Sequence, residues 1–104
     1  MIERVYKFNQ SNNKLIEQIL NDDKAMINHM ILNQGDAMPK HNSNANVYII
    51  IIKGTLTLKL EEQQAELYNH GSIINIPFGI KMDISNTQKD QLEFFVIKAP
   101  SPKL

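Results

Sequence analysis

Hydrophobic and polar residues alternate along much of the chain. The clearest case is Thr55–Leu60, where leucines at 56, 58 and 60 alternate with polar residues at 55, 57 and 59. A period of two places the leucines on one face of a strand and the polar residues on the other. The segment therefore predicts a β-strand in a sheet that has one face in water.

Short apolar segments separated by turn signals continue through the chain. The predicted strands after the N-terminal region are residues 25–33, Val47–Lys53, Thr55–Leu60, 65–68, 72–76, Lys81–Ser85 and Leu92–Lys98. Turn-forming sequences lie between them, such as Gly35-Asp36 and Pro77-Phe78-Gly79. With an opening strand these make roughly eight short strands, and turns about every 8–12 residues indicate an antiparallel sandwich or barrel.

The first 24 residues predict a short strand and a short helix. Apolar side chains at residues 5–8 favour the strand, and Ser11 is a suitable residue to cap the helix. The helix is predicted from apolar residues at helical spacing, namely Leu15, Ile16, Ile19 and Leu20. A helix of about ten residues is marginal alone, so we expect it to pack against the barrel.

The segment Val47–Lys53 is apolar at consecutive positions, which predicts a strand covered on both faces. Alternation puts Val47, Ile49 and Ile51 inside the barrel. The outward set is Tyr48, Ile50 and Ile52. Either the N-terminal segment covers that outward set or a second subunit does, and the second alternative predicts a homodimer.

Length and composition narrow the classes of function. A chain of 104 residues predicts one domain, and 11 basic against 11 acidic residues give no charge surplus that would favour nucleic acid. No apolar run approaches the roughly 20 residues of a membrane-spanning helix, and the N-terminus does not resemble a secretion signal. We therefore expect a cytoplasmic protein without a membrane partner. The absence of cysteine excludes disulfides and cysteine-based metal sites.

Gly35, His41 and Gly54 stand at a spacing that resembles the first motif of a small single-domain cupin of the conserved-barrel type. The first motif of that family is a glycine, five residues, His-x-His, three or four residues, a glutamate, six residues and a glycine. Here Gly35, His41 and Gly54 match, whereas Ser43 stands at the second histidine and Val47 at the glutamate.

The second family motif is a glycine, five residues, Pro-x-Gly, two residues, a histidine, three residues and an asparagine. Gly71, Pro77, Gly79 and Asn86 match it, and Met82 stands at the histidine. The resemblance covers about residues 26–100. It implies a double-stranded β-helix, or jelly roll, with a pocket in its mouth, preceded by an N-terminal segment of residues 1–24.

The resemblance also bears on cofactors. In members with complete motifs, three histidines and the glutamate hold a first-row divalent metal, and His41 is the one ligand retained here. We therefore predict a barrel with no metal cofactor at these positions. The alternative is an isomerase-like or dioxygenase-like enzyme with a relocated metal, in which His29 joins His41. Neighbouring residues of a strand point to opposite faces, so His29 faces away from the lumen if Met30 faces into it. The sequence alone does not fix which of the two faces the lumen, and the relocated site stays open. His70 is predicted to be a solvated turn residue.

Without a metal, the lumen is predicted to bind a small apolar molecule. Its expected lining is Met30, Val47, Ile49, Met82, Phe94 and Val96, with His41 and Ser43 at one side. Ser43→Ala is then expected to leave stability nearly unchanged. A purely structural oligomer with a filled lumen is the third hypothesis, and whether the protein is an enzyme stays open.

Overall fold

The computed structural model of the chain describes residues 1–102, and this part contains nine β-strands and no helix. In chain order the strands are β1 (Leu15–Asn21), β2 (Met26–Leu32), β3 (His41–Asn42), β4 (Val47–Lys53), β5 (Thr55–Leu60), β6 (Glu66–Asn69), β7 (Ile73–Ile76), β8 (Lys81–Ser85) and β9 (Leu92–Lys98). The predicted all-β class is confirmed. No helix of the described part is long and apolar enough to cross a membrane.

The strands form two antiparallel sheets around one hydrophobic core. The five-stranded sheet has the order β1-β2-β9-β4-β7, and the four-stranded sheet has the order β3-β8-β5-β6. Six of the eight connections between consecutive strands cross from one sheet to the other, as in a jelly roll, whereas β1–β2 and β5–β6 stay within one sheet. Inward side chains of both sheets meet in the core, where Ile49, Leu56 and Phe94 are fully buried.

The two faces of β4 differ as the alternation predicts. Val47, Ile49 and Ile51 are at most 1% exposed. On the outward face Tyr48 is 38% exposed and Ile52 is 43% exposed. The outward face is therefore not fully covered by residues 1–102.

The predicted N-terminal helix is wrong, since residues 15–21 form strand β1 at the edge of the five-stranded sheet. Its pairing with β2 contains an irregularity between Gln18 and Leu20. This irregularity shifts the alternation of side chains, so that a strand acquires apolar positions at helix-like spacing. Residues 5–8, predicted as a strand, lie outside every strand of the described chain.

The N-terminal segment is fixed to the outer face of the five-stranded sheet by a buried histidine. His29 is fully buried, and its Nδ1 and Nε2 lie 3.2 Å from Glu17 Oε1 and 2.6 Å from Glu93 Oε2. Both ring nitrogens of His29 therefore have a carboxylate partner inside the protein. The Phe8 ring covers the site, 4.8 Å from the His29 ring and 5.0 Å from that of Phe95.

Asn9 strengthens this attachment. Its backbone N–H and side-chain amide donate to the two Glu17 oxygens at 3.0 and 2.8 Å, which lowers the pKa of Glu17 below its ordinary value. A carboxyl group with a lowered pKa contributes stability above its ordinary pKa and loses that contribution as the pH falls through the lowered value. The attachment of the segment is therefore weakened in acid.

Ser43 joins the loop after β3 to the turn between β7 and β8. Its N–H donates to the Ile80 carbonyl at 2.8 Å, and its carbonyl accepts from Gly79 N–H at 2.8 Å. Its hydroxyl donates to the Pro77 carbonyl at 2.6 Å and accepts from Ile80 N–H at 2.9 Å. Because Ser43 is only 2% exposed, these bonds are shielded from water and hold the two segments together.

Ser43→Ala is therefore expected to destabilise the protein by about 1–3 kcal/mol, and the expectation of a neutral substitution is revised. The alanine removes the acceptor of one backbone N–H and the donor to one carbonyl inside a buried turn. Equilibrium urea unfolding measures the effect. Ser72→Ala is the control and should stay within about 0.5 kcal/mol of the unchanged protein, because no hydroxyl hydrogen bond of Ser72 occurs in the described structure. Equal, small losses in both variants would contradict the role given to Ser43.

Gly54, between β4 and β5, is predicted to be the glycine least tolerant of substitution. Its φ is +80°, and a Cβ would lie 2.4 Å from the backbone oxygen of Gln91. Gly79 has a similar φ of +86°, but the space around its missing Cβ is open. Gly79→Ala should cost about 1–2 kcal/mol from backbone strain alone, whereas Gly54→Ala should cost more than about 3 kcal/mol because backbone must move. Thermal unfolding compares the two, and a Gly79→Ala loss as large as that of Gly54→Ala would contradict the steric argument.

Candidate functional site

A cavity of about 180 Å³ lies between the two sheets where the core ends near β3. We call it the barrel cavity. Six of the eight residues expected at the lumen line it, namely Met30, His41, Val47, Met82, Phe94 and Val96. Ile49 is buried in the core and does not reach it. The sheet register brings these side chains together, since His41 pairs with Met82 on β8 and Met30 pairs with Phe94 on β9.

Ser43 does not line the barrel cavity. Its hydroxyl is used by Pro77 and Ile80, as described above. The position that carries the second histidine of the family motif therefore has a structural role in this chain.

The lining also includes residues that the sequence interpretation left out. They are Ile16, Asn28, Met38, Ile84 and Lys98. The alternation of side chains along a strand could have identified two of them. Asn28 lies two residues from Met30 on β2, and Lys98 lies two residues from Val96 on β9, so each shares a face with a predicted lumen residue. Ile16 was missed because its segment was assigned to a helix.

His41 stands at the exposed rim of the barrel cavity. Its Nδ1 lies 2.8 Å from the Pro39 carbonyl, which can only accept, so Nδ1 carries a proton. In the neutral ring Nε2 is then left as an acceptor or a metal ligand. A single nitrogen of this kind can receive a hydrogen bond from a ligand.

The donor atoms around His41 do not fit a first-row divalent metal. Such a site needs at least three histidine or carboxylate ligands. Val47 and Met82 occupy two of the motif positions, with exposures of 0% and 2%, and Val47 has no donor atom. Within residues 1–102 no three acidic, histidine or cysteine side chains are grouped to hold a metal. His29 lies on the opposite face of its strand, bonded to Glu17 and Glu93, and does not join His41.

Lys98 is the positively charged residue of the cavity wall. Its Nζ donates to Asn44 Oδ1 at 3.0 Å. Partial burial lowers the pKa of the Lys98 ammonium below the ordinary lysine value, because the charged form loses hydration there. The cavity thus combines apolar walls with a partly desolvated cation.

A larger depression of about 690 Å³ lies at the β4–β5 turn, next to His70 and Asp90. It is wide open to solvent, and His70 on its wall is exposed. The barrel cavity is smaller, but it is more enclosed and its walls are more apolar, as is usual for ligand sites. We therefore take the barrel cavity as the candidate site.

Comparison with known proteins gives one clear relative. No family model matches the chain. The chain is 49% identical over 104 residues to the uncharacterized protein MJ0764 of Methanocaldococcus jannaschii, covering 99% of this chain and 90% of that protein.

Solved structures give the same result for the fold. The crystal structure of the RmlC-like cupin family protein mj0764 from the same organism, which has a double-stranded β-helix fold, matches with a TM-score of 0.95 and 48% identity over 98% of this chain and 94% of that chain. A cupin superfamily protein from Desulfitobacterium hafniense matches with a TM-score of 0.75, but at 12% identity over 89% and 83% of the two chains it shows a shared fold alone. The jelly-roll prediction and the cupin resemblance are therefore confirmed, and the chain belongs to the RmlC-like cupin family.

Proposed function

We propose that this cupin binds a small, largely apolar molecule in the barrel cavity and does so without a metal at the motif positions. The proposal is supported by the apolar residues that stand at two of the metal-ligand positions of the family motif. Val47 and Met82 stand where the family places a glutamate and a histidine, and both side chains line the cavity. An apolar ligand gains from burial against such a wall, whereas a hydrated cation does not.

The size of the cavity limits the ligand. At about 180 Å³ it is smaller than typical drug-sized sites of about 300–1,000 Å³. It is slightly larger than the engineered apolar cavity of about 150 Å³ that binds benzene. A molecule with one ring, or a branched chain of similar volume, matches this space.

Benzene binding tests whether the barrel cavity accepts a ligand. Three of its wall residues are methionines, Met30, Met38 and Met82, so methionine-methyl NMR reports on it directly. We expect benzene to shift those three signals and to leave Met1 unchanged, since Met1 is fully exposed. Val96→Phe should fill the cavity and abolish the shifts while the protein stays folded.

Two results would contradict the proposal. Unchanged methyl signals at saturating benzene would mean that no ligand enters the cavity, as expected for the structural oligomer with a filled lumen. The second result comes from elemental analysis of protein purified without chelator. Stoichiometric transition metal that is lost in His41→Ala would contradict the metal-free site. That result would favour the alternative of a metal-dependent enzyme.

We also propose that the protein forms a homodimer through the outward face of β4 and β7. Tyr48, Ile52 and Ile73, which we call the outer patch, are 38%, 43% and 67% exposed. Ile73 pairs with Ile50, so these side chains share one sheet face, and the outer patch contains no charged residue. An identical uncharged patch on a second copy complements it through a two-fold axis, whereas a charged partner does not.

Ile73→Lys is expected to convert the dimer to a monomer, because the contact would bury an unpaired charge on each side of the two-fold axis. Light scattering coupled to gel filtration measures the mass. Leu67→Lys is the control, since Leu67 is 54% exposed but belongs to the four-stranded sheet. A monomeric unchanged protein at high concentration, or equal effects of the two substitutions, would contradict the dimer.

A further inference from the structure

The barrel cavity holds a cation, Lys98, that has no acidic partner in the described part of the chain. Lys98 is partly buried, and no carboxylate lies within ion-pair distance of its Nζ in residues 1–102. The acceptor that it does have, Asn44 Oδ1, is neutral. Among the described residues no aspartate or glutamate lines the cavity. The positive charge on the wall is therefore not compensated by residues 1–102.

A second polar group on the same wall is weakly engaged. The Asn28 side-chain amide donates to Met26 Sδ at 3.7 Å, and a thioether sulfur is a weak acceptor. Replacing the bond to Met26 Sδ by a hydrogen bond to a ligand oxygen therefore costs little free energy. Asn28 and Lys98 lie on neighbouring strands, since Asn28 pairs with Val96 on β9.

Resting on the proposed function, we propose that the ligand class is an organic anion of about one-ring size, whose carboxylate pairs with Lys98 while its apolar body lies among Met30, Met82 and Phe94. A carboxylate replaces the hydration that Lys98 has lost and accepts from the Asn28 amide. The apolar body gains from transfer out of water. A neutral molecule of the same shape lacks the first gain, and a cation is repelled by Lys98.

Three nearly isosteric probes separate these contributions, namely benzoate, benzamide and benzamidine. We expect benzoate to shift the methyl signals of Met30, Met38 and Met82 with a Kd at least tenfold lower than that of benzamide. Benzamidine, the cation, should bind most weakly. The affinity for benzoate should also fall at alkaline pH as Lys98 loses its proton, because an ammonium is needed for the ion pair.

Lys98→Met tests whether the selectivity comes from this side chain. It should remove the preference for benzoate and leave the affinity for benzamide within about twofold, since the apolar wall is retained. Lys98→Arg should restore part of the preference. Lys89→Met is the matched control, because Lys89 is an exposed lysine in the turn before β9, at the end of that strand opposite Lys98, and should change nothing.

The outcomes distinguish this inference from the proposed function. If benzamide binds as well as benzoate and Lys98→Met has no effect, the anion assignment is overturned while the apolar site stands. The assignment is also overturned if benzene binds and benzoate does not. If benzene, benzoate and benzamide all leave the methyl signals unchanged, the proposed function fails first and this inference with it.

Discussion

The pairing of β4 with β9 is the interaction on which the rest of the structure depends. These central strands of the five-stranded sheet bring Val47, Ile49 and Ile51 beside Phe94 and Val96, and all five side chains are nearly inaccessible to water. Strands β2, β5, β7 and β8 add buried apolar side chains to the same cluster. The barrel cavity lies at one end of the same layer, where Val47, Phe94 and Val96 line it instead of filling it. The barrel cavity is therefore a local interruption of the core, and part of its wall is made of fully buried core side chains.

The motif positions that carry no metal ligand in this chain have two different roles. At Val47 and Met82 the side chain is apolar and lines the barrel cavity. At Ser43 the side chain stays polar but is directed to Pro77 and Ile80. A buried hydroxyl in this place stabilises the turn between β7 and β8.

Glycine and proline positions made the fold predictable from the sequence. Gly54 and Gly79 adopt positive φ, a backbone state that few other residues tolerate, so their spacing records the bends of the barrel. Side-chain chemistry was less predictable. The face of His29 depended on the register between β2 and β9, and the strand character of β1 was hidden by its irregularity at Gln18. Lys98 lies on the same face of β9 as Phe94, which the sequence alternation predicts. Its partial burial in the cavity wall depends on how the two sheets close, and the local sequence does not show this.

Two basic side chains of the five-stranded sheet differ in their partners. His29, fully buried on the outer face, has a carboxylate beside each of its ring nitrogens. Lys98 faces the other side of the sheet, is partly desolvated and has a neutral amide as its partner. A chain with equal numbers of acidic and basic residues has carboxylates available for both sites, and it places them at one. Removing a charge from water without compensation is unfavourable, and under the proposed function an incoming anion would supply the compensation that residues 1–102 do not. The two faces of one sheet thus differ in the partners of their basic side chains, which are two carboxylates at His29 and one neutral amide at Lys98.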